Sequence, residues 1–353
     1  MSDRRSSRAS KRSAARRAAD ERWMREALAL AREGEGLTRP NPPVGAVLVK
    51  SRKIVGRGFH KKAGGPHAEV FAIRDAGAAA KGATLYVTLE PCSTIGRTPP
   101  CTSAVITAGI KQVVVGCPDP KPPHNGRGLR ILRSAGLKVH SGVCREEAEA
   151  LIEPFVSRVI RGRPFITLKL AMTLDGRIAD HKGQSKWITG KEAREHVQML
   201  RRRSDAVLVG STTVLRDDPS LLPRPRLGRW PYRAVVDRRK RVKRSVKMFS
   251  DKHAERSIRY TFETVEEVIE DLDSRGVMHV LCEGGGELAA ALVRADLVDE
   301  YQLFYAPKLL GGSGTPGFGG AGWKMDGLPE LDIRDVRRFG ADLLVVARPT
   351  VRG

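Results

Sequence analysis

His67-Ala68-Glu69, then Pro91-Cys92, then Cys101 set three metal-ligand side chains and one carboxylate in order along the chain. One imidazole and two thiols make a three-ligand zinc site. A tetrahedral ion held this way keeps its fourth position for water, which separates a catalytic zinc centre from a closed structural one. Bound zinc lowers the pKa of that water, so hydroxide exists near neutral pH. Glu69 stands two residues from the imidazole, where a carboxylate can shuttle protons between the water and a leaving amine. The expected site is hydrolytic, with His67, Cys92 and Cys101 as ligands of Zn2+ and Glu69 as the catalytic acid and base. Cys117, Cys144 and Cys282 fall outside this spacing and read as packed thiols. His60, His124, His140, His181, His196, His253 and His279 read as ordinary surface or core side chains.

The elements that must position these groups alternate. Trp23, Met24, Ala27, Leu28, Leu30 and Ala31 recur on one face of a helix over 20–33. Strands over 44–49 and 54–59 flank a turn at Ser51-Arg52-Lys53. A helix starting near His67 and closing at Gly77 puts His67 and Glu69 in its first turn. An apolar run over 83–88 is a strand, with Cys92 at its C-terminal edge. Pro99-Pro100 can open the next helix, placing Cys101 at an N-terminus that favours a thiolate. A strand over 112–116, a helix over 129–134, a strand over 137–140 and a helix over 145–160 complete a three-layer α/β/α domain.

Arg161-Gly162-Arg163-Pro164 reads as a short basic linker. Beyond it come a strand over 165–172, the loop Thr173-Leu174-Asp175-Gly176-Arg177, a helix capped by Thr189 with Glu192 in the capping-box position, and a strand over 205–210. A strand over 277–282 runs into Glu283-Gly284-Gly285-Gly286 and an apolar helix over 288–297. Glycines between a strand and a helix let a backbone approach phosphates. G-x-G-x-x-G is not present there, so a standard dinucleotide fold is not indicated. The expected organisation is a basic disordered tail over 1–18, one domain over 19–160 and a second over 161–353.

Composition agrees with two domains. The chain has 353 residues and 41% apolar content, enough for two cores. No run of about 18 apolar residues is present, so no membrane span is expected. The N-terminus lacks the apolar region of a secretory signal. Five cysteines, an odd number, suit a reducing cytoplasm where thiols can bind metal. Net charge is +23, and seven basic side chains fall within the first twenty residues. A positive surface attracts polyanions and also steers phosphorylated small substrates, and charge alone does not separate the two.

The ordered H-x-E…P-C…C set is that of zinc-dependent nucleobase deaminases, with the second half stretched to P-C-x8-C. Pro40-Asn41-Pro42-Pro43-Val44-Gly45, Gly65-Pro66-His67-Ala68-Glu69, Thr88-Leu89-Glu90-Pro91-Cys92-Ser93 and Gly96-Arg97-Thr98-Pro99-Pro100-Cys101 resemble the bifunctional riboflavin-biosynthesis deaminase/reductases. Asp119-Pro120 and Gly126-Arg127-Gly128 match as well. Leu168-Lys169-Leu170, Leu174-Asp175-Gly176, Trp187-Ile188-Thr189, Asp217-Asp218-Pro219 and Glu283-Gly284-Gly285 resemble the reductase half of that family.

The resemblance implies a cytidine-deaminase-like first domain and a dihydrofolate-reductase-like second domain that uses NADPH. It implies that 2,5-diamino-6-ribosylamino-4(3H)-pyrimidinone 5′-phosphate is deaminated and its ribosyl chain then reduced. Asn41, Lys169, Ser185, Arg201, Leu221, Arg224 and Glu283 would bind the substrate. Ala171, Trp187, Thr213, Asp217, Gly285 and Gly286 would contact NADPH. The expected assembly is a homo-oligomer, and no nucleic-acid partner is expected. Three departures stand out. Thr94-Ile95 replaces the family's usual His or aromatic residues, the stretch between Asp237 and Glu283 reads as short, and Arg238 stands where a small polar residue is usual, a basic group that either reads the 2′-phosphate of NADPH or is irrelevant. An active deaminase with a weakened reductase is therefore an alternative. A tRNA or other nucleic-acid deaminase would share the metal motif and the positive charge, but such enzymes usually carry the compact P-C-x-x-C. A non-catalytic RNA-binding scaffold would place its function in the basic tail.

Overall fold

The computed structural model describes residues 2–96, 99–226, 228–261 and 263–350, with side chains from Ala14 onward. Two compact units divide at Arg161/Gly162. Arg97 and Thr98 of the Gly-Arg-Thr-Pro-Pro-Cys motif lie outside the described residues.

The first unit runs α1 (Ser2–Glu33), β1 (Gly45–Lys50), β2 (Lys53–Phe59), α2 (Ala68–Ala76), β3 (Thr84–Leu89), α3 (Cys101–Thr107), β4 (Gln112–Cys117), α4 (Arg127–Ser134), β5 (Lys138–Ser141), α5 (Arg145–Leu151) and α6 (Glu153–Val156). Its sheet has the order β2-β1-β3-β4-β5. β1 is antiparallel to both neighbours, and β3, β4 and β5 are parallel. The strand period of two divides the core. Ala46, Leu48, Leu85, Val87, Val113 and Val115 face Ala68, Ala72, Val105 and Leu132 on one side. Val47, Val49, Tyr86 and Val114 face Trp23, Met24, Leu28 and Ile152 on the other. Three layers result because alternate residues of each strand are apolar on both faces.

Two glycines set how closely α2 approaches the sheet. A Cβ on Gly56 would lie 2.3 Å from the Ala72 carbonyl oxygen, and one on Gly58 would lie 2.4 Å from that of Ala68. Both contacts are to backbone, so the helix as a whole would have to move.

Two expectations fail in this unit. The basic segment read as a disordered tail is helix from Ser2. Adding a residue to an existing helix costs far less than nucleating one, and Ala, Arg and Lys are good helix formers. The packed turns around Trp23 and Met24 supply the nucleus. The helix expected over 145–160 is broken into α5, α6 and a π-helical turn at Ser157–Arg161. Pro154, in the first turn of α6, has no N–H with which to continue α5.

The second unit runs β6 (Phe165–Thr173), β7 (Arg177–Ala179), α7 (Lys191–Arg203), β8 (Ala206–Gly210), α8 (Ser211–Asp217), β9 (Tyr232–Val236), α9 (Lys247–Ser250), β10 (Ser257–Tyr260), α10 (Val265–Ser274), β11 (His279–Cys282), α11 (Gly286–Arg294), β12 (Glu300–Ala306), β13 (Thr315–Pro316), β14 (Leu331–Phe339) and β15 (Asp342–Pro349). Its main sheet has the order β10-β9-β8-β11-β6-β12-β15-β14. The strands from β10 to β12 are parallel, and β15 and β14 are antiparallel additions. Val207, Leu208 and Val209 are all buried, as a strand covered on both faces requires. The segment between Asp237 and Glu283, short by sequence, still carries α9, β10 and α10.

The expected Thr189–Glu192 capping box does not form. The residue capping α7 is Gly190, whose N–H donates to the Asp342 carboxylate at 2.7 Å. A carboxylate from β15 thus accepts the cap's own N–H, the role the capping box gives to Glu192. Among the described residues, no helix is long and apolar enough to cross a membrane.

Gly58→Ala tests the role of close packing. Overpacking of this kind costs about 1–3 kcal/mol, so the melting temperature should fall by several degrees. Bound zinc should fall with it, because the start of α2 positions His67 and carries Glu69. Unchanged melting and zinc content would show that α2 has room to spare.

Candidate active sites

The ends of three elements meet at the proposed metal centre. His67 immediately precedes α2, Cys92 follows β3, and Cys101 opens α3. His67 Nδ1 lies 3.1 Å from Cys101 Sγ and 3.4 Å from Cys92 Sγ. All three donor atoms lie within 4.8 Å of one another, and among the described residues this is the one cluster suited to an ion. Bonds of about 2.0 Å to nitrogen and 2.3 Å to sulfur at tetrahedral angles separate donors by about 3.5–3.8 Å. The observed spacing and the N, S, S donor set therefore fit zinc.

The α3 terminus acts differently from the sequence expectation. The Cys101 amide donates to Cys92 Sγ at 3.3 Å, so it is the Cys92 thiolate that the helix start stabilises. The Cys101 thiol hydrogen bond is the main cause pulling Cys92 down to about 4, with His67 adding to it. The same interaction, together with burial, pushes Cys101 up. The neighbouring Cys92 raises His67.

Glu69 is 3% exposed, and its Oε2 has no hydrogen-bond partner. Burial, reinforced by the charge of Cys92, lifts its carboxyl to about 7. A carboxyl that titrates near neutrality can both take up and release a proton, as a general base turned general acid must.

Two residues of this site were not singled out from sequence. The His60 ring stands edge-on to His67, with centroids 5.1 Å apart. Its Nδ1 lies 3.0 Å from the Pro66 carbonyl oxygen, which can only accept, so Nδ1 carries the proton. Nε2 then accepts from Asn41 Nδ2 at 3.0 Å, which fixes the Asn41 amide. Burial lowers the pKa of His60, favouring this neutral form. Its position directly after β2 was the signal available. Glu90, also buried, accepts from the amides of Asp119, Gly126, Gly128 and Leu129 at 2.8–3.3 Å. It ties the loop before α4 to the residue beside Pro91-Cys92. A Cβ on Gly128 would lie 2.2 Å from the Pro91 carbonyl oxygen, so glycine is required there. Ile95, at the departure beside the metal, is 86% exposed.

In the second unit a cavity of about 1340 Å³ opens at the C-terminal ends of the parallel strands. It is lined by Lys169, Ser185, Arg201, Leu221, Arg224 and Glu283, and by Ala171, Trp187, Thr213, Asp217, Gly285 and Gly286. All the residues expected in the reductase site therefore share one cavity. Of Arg201, Arg202 and Arg203, only Arg201 faces it. Arg201 holds the Glu283 carboxylate through two hydrogen bonds, from Nε to Oε1 and, at 2.8 Å, from Nη2 to Oε2. Burial acts against the Glu283 charge, but Arg201 outweighs it and holds the carboxyl below its ordinary value. Burial pushes Lys169 down.

Trp187 is 65% exposed and therefore not a core residue, with the Arg194 guanidinium 4.4 Å from its ring. Ser185 Oγ and Lys186 Nζ both reach the Asp217 carboxylate, at 3.4 Å and 3.3 Å. Thr213 Oγ1 donates to the Gly284 carbonyl at 3.3 Å. A Cβ on Gly286 would lie 2.6 Å from the Pro316 carbonyl oxygen. The Leu221 side chain packs with Val207, Val209 and Val235, and its φ is +57°. A left-handed non-glycine residue is strained, and Leu221 is among the residues that line the cavity.

Comparison with known proteins supports both halves. Residues 17–117 match the cytidine and deoxycytidylate deaminase zinc-binding region, and residues 164–345 match the RibD C-terminal domain. The riboflavin biosynthesis protein RibD of Aquifex aeolicus (strain VF5) is 44% identical, over 83% of this chain and 88% of its own. That of Escherichia coli (strain K12) is 41% identical, over 92% and 98%. The structure of Acinetobacter baumannii RibD, form 1, superposes with a TM-score of 0.85 at 39% identity, over 95% of this chain and 99% of that one. The Thermotoga maritima structure titled diaminohydroxyphosphoribosylaminopyrimidine deaminase/5-amino-6-(5-phosphoribosylamino)uracil reductase gives a TM-score of 0.86 at 38% identity, over 95% and 100%. With a zinc-binding deaminase region followed by a reductase domain, the chain belongs to the RibD family of bifunctional riboflavin-biosynthesis proteins.

Proposed function

We propose that the first unit hydrolyses the exocyclic amine of 2,5-diamino-6-ribosylamino-4(3H)-pyrimidinone 5′-phosphate. The second unit then uses NADPH to reduce the ribosyl chain of the product, giving 5-amino-6-(5-phosphoribitylamino)uracil. The observation that carries the first step is the buried Glu69 carboxyl, whose Oε2 has no hydrogen-bond partner, beside the His67–Cys92–Cys101 donor set. Those three side chains would hold zinc, which would supply acidification of water for attack. Glu69 accepts the proton of the attacking water and passes it to the pyrimidine ring nitrogen; it then takes the proton of the hydroxyl just added to the ring carbon and gives it to the amine, which leaves as ammonia while the carbonyl forms. Its titration near neutrality suits these transfers. Asn41, held by His60, orients the pyrimidine edge.

In the second unit Lys169 and Glu283 line the part of the cavity we assign to the sugar, and Arg201 fixes Glu283. Ser185 and Arg224 offer donors to the phosphate monoester. Trp187, Thr213, Asp217 and the Gly285-Gly286 turn border the space we assign to the cofactor, with Ala171 at its floor. NADPH supplies hydride when bound, and the protein's part is to hold it against the sugar. The five free thiols suit the cytoplasm, the compartment we assign. Self-association belongs to the same reading. β14 is an edge strand with Ile333 and Val336 exposed, which a second copy can extend.

Glu69→Gln should keep zinc, measured by metal analysis, and lose ammonia release by about 100- to 10,000-fold, the range for a general acid–base group. Ammonia release at the wild-type rate would refute the role. Lys169→Met should stop NADPH oxidation on the deaminated substrate while ammonia release stays unchanged. Loss of both activities would mean the two sites are not separable as described.

A further inference from the structure

We propose that the turn after β9 reads the 2′-phosphate of NADPH, with Arg241 as the selecting residue. This rests on the NADPH-dependent reading of the second unit. In open α/β sheets, nucleotides bind outside the carboxyl ends of the strands. β8 and β9 are parallel neighbours whose ends, Gly210 and Val236, both line the cavity. An acidic side chain near such a strand end commonly binds the free 2′-hydroxyl of NADH, whereas an arginine accommodates the 2′-phosphate of NADPH.

The residue after β9 is acidic, but its carboxylate is used elsewhere. Asp237 is 0% exposed. Its Oδ1 accepts from the Arg241 amide at 3.0 Å and its Oδ2 from the Val242 amide at 2.9 Å. Its carbonyl accepts from the Lys240 amide at 2.9 Å. The acid is thus spent on folding the turn and cannot reach a ribose. What the turn presents to the cavity is basic, because Arg238, Arg239 and Arg241 are exposed and line it.

Arg241 is the best placed of these. Its Nη2 donates to Ser211 Oγ at 3.2 Å and Thr212 Oγ1 at 3.4 Å, the first two residues of α8. These contacts fix the guanidinium plane without neutralising its charge, and each hydroxyl keeps a proton to donate. Nearby lysines are committed differently. Lys186 pairs with Asp217 at 3.3 Å and Lys247 with Asp218 at 3.6 Å. A held guanidinium flanked by two hydroxyls is a donor set for a phosphate monoester dianion. Arg238 and Arg239 add charge around it. Arg238, which by sequence either reads the 2′-phosphate of NADPH or is irrelevant, becomes part of a basic rim.

The test is equilibrium binding to the full-length protein, by calorimetry, of NADPH, NADH, and adenosine 2′,5′-bisphosphate against 5′-AMP. The unsubstituted protein should prefer NADPH to NADH, and the bisphosphate to 5′-AMP. Arg241→Ala should weaken NADPH and the bisphosphate by about 10- to 100-fold, the range for a lost hydrogen bond to a charged group. NADH and 5′-AMP affinities, and ammonia release by the first unit, should stay as they were, which also shows that the variant is folded. Arg241→Lys should recover part of the loss, since a point charge replaces a fork. Equal binding of NADPH and NADH by the unsubstituted protein, or a preference that Arg241→Ala leaves unmoved, would overturn this assignment alone. Binding of neither dinucleotide would overturn the reductase reading beneath it.

Discussion

Three soft and borderline donors must reach one point, and they do so beyond the C-terminal end of the central strand β3. β3 ends, and α2 and α3 begin, at neighbouring places, so a strand terminus and two helix starts deliver Cys92, His67 and Cys101 to one another. Each dependence can be traced. The period-two burial of β1 and β3 fixes which face α2 covers. Gly56 and Gly58 let it approach the sheet closely enough for its first turn to meet the cysteines. The amide that opens α3 then holds the Cys92 sulfur.

The same compactness gives Glu69 its chemistry. An exposed carboxylate would titrate well below neutrality and stay ionised throughout a reaction. Enclosed by α2 and the donor sulfurs, it is raised to about 7, at a cost that the packed layers on either side must offset. The second unit uses the opposite strategy at Glu283, where a bidentate arginine keeps a buried carboxylate ionised. The two enclosed carboxyls are thus shifted in opposite directions, one by an arginine, the other by burial with no cation paired to it.

Much of this is legible in the sequence because spacing and element boundaries carry it. The His67, Cys92 and Cys101 positions follow from a helix start, a strand end and a Pro-Pro helix opening, and each occurs where the pattern puts it. What was not legible depends on partners distant in the chain. His60 carries no motif, and only the fold brings it to His67 and Asn41. The α7 cap is Gly190 rather than Thr189, and Asp342, from the last strand, accepts the cap N–H that Glu192 was expected to take. Disorder over 1–18 was inferred from charge, which ignores how cheaply a packed helix elongates. Arg241 was invisible because its significance lies in Asp237 being turned away from the cavity.

The central claim is the shared ion, and zinc-edge X-ray absorption of the purified protein tests it most directly. The account predicts one bound zinc with one nitrogen at about 2.0 Å, two sulfurs at about 2.3 Å and a remaining light-atom ligand. The sulfur shell should drop to one scatterer in Cys92→Ser and again in Cys101→Ser. A zinc shell without sulfur, or one unchanged by either substitution, would contradict it.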